Sequence, residues 1–409
     1  MHMQILHERC CGLDVHKKSI TACIITPEGK KIRTFGTMTA DILELVDWIK
    51  QNKCSCVAME STGVYWKPIY NLLEVEQIET LVVNARHIKA VPGRKTDVKD
   101  AEWIAELLQY GLLKGSYIPS REQRELQELI RYRRSLIDER SREVNRLQKI
   151  LEGANIKLSS VATDILGKSG RKMLEQIINS DKPDPKIIAQ SAKGKLRNKI
   201  PLLEKALHGL IGHHQKMILS VQLRHIDFLD QQIEELNLEI ERRMRPFEDC
   251  LELLDTIPGV GRRIAEQIIA EIGVDMSRFP SSKHLASWAG IAPGNNESAG
   301  KRKSGRTTKG NKHLRSTLVE AARSASRTKN TYLSAQYRRL AARRGSNRAC
   351  IAVAHTILTI VYHILKKKQP YQELGADYFE KRKESKIVNN LIRKLERLGY
   401  SISIKKKSA

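Results

Sequence analysis

Residues 10–26 read Cys-Cys-Gly-Leu-Asp-Val-His-Lys-Lys-Ser-Ile-Thr-Ala-Cys-Ile-Ile-Thr. Two apolar runs flank His16-Lys17-Lys18, and Pro27-Glu28-Gly29-Lys30 supplies the next turn, which is the pattern of a β-hairpin. Working outward, Lys31–Thr37 is predicted as a third strand, and Asp41–Gln51 places Ile42, Leu45, Val46 and Ile49 at helical spacing. Cys54–Met59 is a short apolar run, predicted as a buried strand with Glu60 at its end. Gly63 and Tyr65-Trp66-Lys67-Pro68 open a helix that runs through Leu73, and Thr80–Asn84 forms another strand. Pro92-Gly93 breaks the chain before a helix from Asp97 to Tyr110. The order βββαβαβα predicts an α/β domain, a mixed sheet with helices on its faces.

Four acids stand out in this domain. Asp14 lies inside an apolar strand, Glu60 ends a second, and Asp97 and Asp100 are three apart at a helix start, where they share a face. Carboxylates gathered in one site need a cation between them, since otherwise one stays protonated. Mg²⁺ suits such a set, because it takes few protein carboxylates together with substrate phosphates. A pair of such ions about 3.5–4 Å apart stabilises both attacking and leaving oxygens of a phosphodiester displacement. Singly, each acid also reads as a surface or helix N-terminal carboxylate.

The 409 residues carry a net charge of +26, which points to a polyanionic partner. Residues 1–118 hold 15 Lys/Arg against 14 Asp/Glu, so nearly all the surplus lies in 119–409. No run of eighteen apolar residues occurs, so no membrane span is expected. Seven cysteines, an odd number without CxxC pairs, read as reduced cytosolic thiols, with Cys54 and Cys56 packing on a strand. Aromatics at 5% argue against recognition of single strands mainly by stacking.

Residues 121–151 are predicted as one long helix with Leu126, Leu129, Leu136, Leu147 and Leu151 on a stripe. Residues 159–200 are polar and broken by Gly167, Gly170, Pro183 and Pro185. In 213–247, Ile226, Leu229, Ile233, Leu236, Ile240, Met244 and Phe247 alternate by three and four, a coiled-coil pattern. Its partner is either a second protomer or an antiparallel return of the chain onto 121–151, and periodicity does not separate the two.

Residues 251–273 read as helix, Pro258-Gly259-Val260-Gly261 turn, helix. Such a corner offers backbone N–H groups to a phosphate, and Gly259 and Gly261 are candidates for nucleic-acid contact. Further on, 297–315 reads Glu-Ser-Ala-Gly-Lys-Arg-Lys-Ser-Gly-Arg-Thr-Thr-Lys-Gly-Asn-Lys-His-Leu-Arg, with no acid after Glu297. Its glycines predict a loop in the first half. Lys301, Arg302, Lys303, Arg306, Lys309, Lys312 and Arg315 are its phosphate-binding candidates. Helices are predicted over Leu314–Arg327 and Ser346–Lys366. Lys366-Lys-Lys-Gln-Pro370 and Lys405-Lys-Lys407 read as polyanion contacts or tail.

Gly12-Leu-Asp-Val-His-Lys17, Met59-Glu-Ser-Thr-Gly-Val-Tyr-Trp66 and Lys95-Thr-Asp-Val-Lys-Asp-Ala101 resemble the motifs of the DEDD-type insertion-sequence transposases. That family includes the pilin-gene invertases and the RNA-guided bridge recombinases. The resemblance implies a RuvC-like N-terminal domain, a variant of the ribonuclease H fold, with Asp14, Glu60, Asp97 and Asp100 as its metal-binding acids. Residues 251–325 resemble the family's C-terminal transposase domain, in which a serine followed by small residues and a lysine attacks DNA; Ser298-Ala-Gly-Lys301 fits. Small neighbours and surrounding cations suit a serine that must approach phosphorus, and Ser304 is the competing residue. Four regions are expected: a catalytic domain over 1–155, a helical linker with coiled coil over 156–248, a transposase domain over 249–335 and a basic helical extension over 336–409. The resemblance further implies double-stranded DNA and an element-encoded RNA as partners, and a homodimer or homotetramer. The rival readings are a Mg²⁺-dependent junction-resolving nuclease using water, and a nucleic-acid-binding protein without enzymatic activity.

Overall fold

The structure, a computed structural model, describes residues 4–84, 100–294, 296–298, 301–307, 309–382 and 384–401. Asp97, Pro92-Gly93 and Lys405-Lys-Lys407 lie outside the described residues. The chain divides into two compact units, Met1–Arg121 and Glu122–Ala409.

The first unit is built on a five-stranded mixed sheet. Its elements are β1 (Cys10–Val15), β2 (Ile20–Thr26), β3 (Gly29–Phe35), α1 (Thr39–Gln51), β4 (Cys56–Glu60), α2 (Trp66–Val75), β5 (Glu79–Val83) and α3 (Asp100–Gln109). The strand order is β3-β2-β1-β4-β5. β1 pairs antiparallel with β2 and parallel with β4, so it is the middle strand and feels both kinds of neighbour. The third strand begins two residues earlier than predicted. Thr26 pairs directly with Gly29, which leaves only Pro27 and Glu28 to turn, and Gly29 takes a φ of 135° there. β3 forms one edge, and Gly29–Thr34 lie open to solvent with Lys30, Lys31 and Arg33 among them.

Each face of this sheet has its own core. Cys11, Leu13, Val15, Val57 and Met59 pack against Ile42, Leu45 and Ile49 of α1 and Ile69 and Leu73 of α2. Cys10, Cys23, Cys56 and Ala58 pack against Ala101, Ile104, Ala105 and Leu108 of α3. Alternation along each strand assigns successive residues to opposite faces, and the two clusters follow that parity.

Among the described residues the second unit is helical, apart from one small ribbon. Its first long helices are α4 (Arg121–Gly153) and α5 (His213–Met244). They run antiparallel: Arg243 donates to Glu125 at 3.0 Å, Arg133 to Asn237 at 3.1 Å, and Arg140 to Asp230 at 3.0 Å. Leu136, Leu229 and Ile233 are buried together between them. The 3–4 stripe of α5 is thus packed within the chain, and Phe247 falls beyond the end of the helix. The broken segment between α4 and α5 is not a bare linker. It folds into short helices whose Leu158, Met173, Leu174, Ile177 and Leu203 share a core with Leu147, Leu151, Leu219 and Leu223.

After α5 come α6 (Glu248–Asp255), α7 (Arg262–Ile272), α8 (Ser282–Trp288), the ribbon strands β6 (Asn296–Ser298) and β7 (Lys301–Ser304), and α9 (Lys312–Arg327). α7 is buried on all sides from Ala265 to Ile272, which makes it the axis of this part of the unit. A helix absent from the sequence reading, α10 (Tyr332–Arg344), follows, capped by the Thr331 hydroxyl, and then α11 (Ser346–Lys367) and α12 (Glu384–Glu396). α11 is, by length and composition, apolar enough to cross a membrane, and over half of its most apolar stretch is buried inside the unit.

Candidate active site

The strand pleat decides where Asp14 and Glu60 go. Cys10 and Gly12 face α3, so Asp14 two residues on has the same parity; Cys56 and Ala58 give Glu60 that parity too. The parallel register pairs Cys10 with Cys56 and Leu13 with Met59. One step further, at the carboxyl ends of both strands, stand Asp14 and Glu60, on neighbouring strands that lie about 4.8 Å apart.

Gly12 explains how α3 comes so close. A Cβ on Gly12 would lie 2.3 Å from the Ala101 carbonyl oxygen and 2.4 Å from the Ala105 nitrogen, so only glycine fits under the helix. The Cys10 thiol donates to the Ala105 carbonyl at 3.6 Å. As β1 advances from Cys10 to Gly12, its contacts on α3 therefore step back from Ala105 to Ala101. The amino end of α3, with Asp100 as its first residue, is directed to the end of the strand that carries Asp14. Asp100 is exposed. Beneath the acids the floor is uncharged, since burial pushes both the Cys10 and Cys56 thiols up to about 12.

Two neighbours were missed by the sequence reading. His16 Nε2 lies 3.1 Å from Asp14 Oδ2, and the Thr62 hydroxyl donates to Glu60 Oε1 at 3.3 Å. Each sits two residues beyond its acid, so the same period-two logic that placed the acids would have found them. Among the described residues no three His, Cys, Asp or Glu side chains stand close enough to form a ready metal cage. The donors that are described, carboxylates of Asp14, Glu60 and Asp100, are hard oxygen ligands of the type Mg²⁺ accepts.

Ser298 lies on the second unit. The predicted loop is instead a β-ribbon: Ser298 pairs with Lys301, Glu297 with Arg302 and Asn296 with Ser304. Glycine argues against helix, and the sequence reading took that for a loop although cross-strand pairing satisfies the same backbone. Ser298 and Lys301 are the last paired residues at the ribbon's closed end, with two residues between them. Pairing continues at the base, where Pro293 bridges Thr307 and Gly294 donates to the Arg306 carbonyl at 3.1 Å. The side chains of Ser298, Lys301, Arg302, Lys303 and Ser304 lie outside what is described. Arg306, Lys309 and Lys312 are exposed, whereas Arg315 is half-buried and donates to the Gly290 carbonyl at 3.2 Å.

The ribbon's return strand is anchored by Asn311. Its Oδ1 caps α9 by accepting from His313 and Leu314, each at 3.0 Å, and its Nδ2 donates to Glu271 Oε2 at 2.6 Å. Glu271, 2% exposed, also receives Arg131 of α4 in a forked pair at 2.8 and 2.7 Å. A second buried pair, Arg133–Glu266 at 2.7 Å, lies one turn earlier on α7. One buried helix therefore holds both α4 and the foot of the ribbon. Burial and the nearby Arg131 guanidinium keep the His313 imidazole below its ordinary pKa.

The glycine corner has two different ends. Gly259, at φ 88°, would place a Cβ 2.5 Å from the Ala321 oxygen and from the Ala325 nitrogen of α9, so packing accounts for this glycine. Gly261 is the N-cap of α7, exposed, with no side-chain cap and nothing within 4 Å of an added Cβ. Arg262 beside it is held by Glu248 at 2.9 Å.

Two family models match the chain. The DEDD transposase model of the IS110 type, described as "Transposase", matches residues 11–156, which include all four acids. A second model, described as "Transposase IS116/IS110/IS902 family", matches residues 251–338, which include Ser298 and the glycine corner. The transposase for insertion sequence element IS1111A of Coxiella burnetii is 26% identical over 368 residues, covering 88% of this chain and 90% of that protein. The pilin gene-inverting protein of Moraxella lacunata is 25% identical over 382 residues, covering 88% of this chain and 97% of that one. The two models fall on separate parts of the chain, and together they take in more than half of its residues. The chain belongs to the IS116/IS110/IS902 family of transposases.

Proposed function

We propose that this transposase cuts and rejoins DNA with a metal-binding acid set on its first unit and a serine nucleophile on its second. The observation that carries the reading is the adjacency of Asp14 and Glu60 at the carboxyl ends of β1 and β4, with the amino end of α3 directed to the same edge. The mixed sheet and this acid edge support a RuvC-like fold over 1–155. Residues 156–248 serve as helical linker, 249–335 as transposase domain and 336–409 as basic extension.

In the proposed reaction Ser298 Oγ attacks the scissile phosphorus. An Oγ–P bond forms as the P–O bond to the departing strand breaks, and the hydroxyl proton ends on the departing oxygen. The ester keeps the bond energy, so a hydroxyl from a second strand reverses the step and restores both strand and serine. Asp14, Glu60, Asp97 and Asp100 would hold Mg²⁺, which supplies charge neutralisation at phosphate oxygens. His16 orients Asp14, and Thr62 orients Glu60. Lys301, Arg302, Lys303, Arg306, Lys309 and Lys312 draw in the DNA backbone, and Gly261 offers it the open end of α7. The charge surplus of 119–409 also supports an element-encoded RNA that selects the target by base pairing, and the active species is a homo-oligomer.

The test incubates purified protein with its element DNA, the element's flanking RNA and Mg²⁺, and seeks a denaturant-resistant protein–DNA adduct. An adduct lost in both Ser298→Ala and Asp14→Asn is expected. Cleavage without adduct that survives Ser298→Ala but not Asp14→Asn would instead make the protein a hydrolytic nuclease.

A further inference from the structure

The segment after α11 turns back and lays a second wall beside that helix. Lys368 ends α11 in the left-handed conformation, at φ 55°, and its Nζ lies 3.0 Å from the Cys250 sulfur. The Tyr371 N–H donates to the Thr256 hydroxyl at 3.0 Å. One oxygen of Glu373 accepts the N–H groups of Tyr332 at 2.7 Å and Gly375 at 2.8 Å. Between this fastened strap and the helix lies a cleft of about 340 Å³. Thr356, Thr359, Ile360, Ile364 and Lys367 line it from α11 at helical spacing, so one face of the helix forms one wall. Pro370, Tyr371 and Leu374 line it from the strap, and Tyr332 of α10 joins them.

The composition here is unlike the rest of the chain. Of 11 Tyr, 5 Phe and 4 Trp in 409 residues, six fall within 332–379. A chain-wide scarcity of rings therefore hides a local cluster. Tyr332 stacks on Phe379, with ring centroids 5.1 Å apart and 20° between the planes, and the Arg339 guanidinium lies 4.2 Å from the same Phe379 ring. Burial raises the pKa of both Tyr332 and Tyr371, so the two phenols stay neutral and do not repel an anion. Lys366 and Lys367 are exposed, and neither is in an ion pair among the described residues. Glu373, the one acid of 368–375, is occupied by the backbone N–H groups it accepts.

We propose that this cleft holds an unpaired nucleotide of a single nucleic-acid strand, its base against Tyr332 and Tyr371 and its phosphate toward Lys366 and Lys367. Neutral rings and apolar side chains suit the faces of any base, and cations at the rim suit the backbone that enters with it. The exposed amides of Gln369 and Gln372, which also line the cleft, can meet a base edge. A volume near the lower bound for ligand clefts admits one nucleotide and excludes a base that is still paired and stacked in a duplex. An apolar peptide would leave the lysines without a counter-charge. The anchors at Lys368, Tyr371 and Glu373 hold the walls apart before the ligand arrives, which lowers the ordering cost of binding. Apart from Tyr332, the lining falls beyond residues 251–338, so the site belongs to the basic extension. The inference uses neither the acid set nor Ser298 and stands whether or not the proposed reaction does.

The test irradiates the full chain with tetranucleotides that carry 5-iodouracil, in ribo and deoxyribo forms side by side, and maps the cross-linked peptide by mass spectrometry. A preference between the two sugars identifies which strand the cleft serves. The expected cross-link falls on the peptide of Tyr332 or Tyr371. Tyr371→Ala should weaken tetranucleotide binding about tenfold, whereas Tyr371→Phe, which keeps the ring, binds like the parent. Thr359→Phe fills the cleft from the helix wall, leaves every anchor of the strap in place, and should abolish the cross-link with the melting profile retained. Lys367→Ala should weaken binding and flatten its dependence on salt. Cross-links that fall only elsewhere, binding unchanged in both Tyr371→Ala and Thr359→Phe, or uridine monophosphate binding as tightly as the tetranucleotide would overturn the proposal.

Discussion

Replacing Glu271 with glutamine tests whether the buried ionic junction on α7 governs the second unit. The carboxylate accepts three hydrogen bonds, two from Arg131 and one from Asn311, and its side chain is 3% exposed. Glutamine keeps one oxygen and turns an NH₂ toward these donors, so at least one charge-assisted bond is lost and one donor is left facing another. Such bonds contribute about 1.5–3 kcal/mol. The Arg131 side chain is 31% exposed and recovers part of its hydration, which favours a loss of about 2 kcal/mol. In a unit of this size that lowers the melting temperature by about 4–5 °C. Scanning calorimetry measures it. Asn311→Ala removes the same bond together with the cap of α9, itself worth about 1 kcal/mol. The double variant should then melt higher than the two single losses predict, with a coupling of about 1 kcal/mol. A Glu271→Gln protein melting within about 0.5 °C of the parent, or additive single effects, would show that the junction is geometry without energy and refute the reasoning.

Two further outcomes follow from the same geometry. Gly12→Ala forces the backbone of α3 away from β1 and should destabilise the first unit by about 1–3 kcal/mol, with Ala101 and Ala105 as the displaced neighbours; circular dichroism of the melt checks it, and an unchanged curve would mean α3 does not lie where it is described. Burial lowers the pKa of His313 and His355 in the folded protein, so the unfolded chain binds their protons first. Stability from these groups is complete above the unfolded value near 6.5 and falls as pH drops below it; melts from pH 7.5 to 5 should show the decline, and His313→Gln should flatten it.

The N-terminal fold was legible because its signals are local. Short apolar runs at 10–26 and 54–59 gave strands, and helical spacing at 42–49 gave α1; boundaries moved by one or two residues, as where the short turn at Pro27-Glu28 starts β3 at Gly29. Asp14 and Glu60 were found as acids breaking apolar strands, and the register then made neighbours of them, which no single stretch of sequence states. The stripe at Ile226–Met244 announced a helix and not its partner, because apolar periodicity is blind to what covers it. Glu266 and Glu271 were passed over for a related reason. On α7 they look like the polar face of an amphipathic helix, and only the approach of Arg131 and Arg133, more than a hundred residues earlier, turns that face inward. The ribbon at 296–304 was misread because its strands are too short for alternation to show.

The cations of β3 bear on a different hazard. An open sheet edge is a template on which any extended chain can add itself, most dangerously while neighbouring segments are still unfolded. Lys30, Lys31 and Arg33 line that edge, and all three are already engaged, Lys30 by Glu102 and Glu106 of α3, Lys31 by the Asn52 side chain and Arg33 by Glu44 of α1. Bringing a foreign strand alongside would strip water from these charges and break their ion pairs before the first new backbone bond formed. The charged edge thereby closes off the cheapest way for two copies of the chain to associate wrongly.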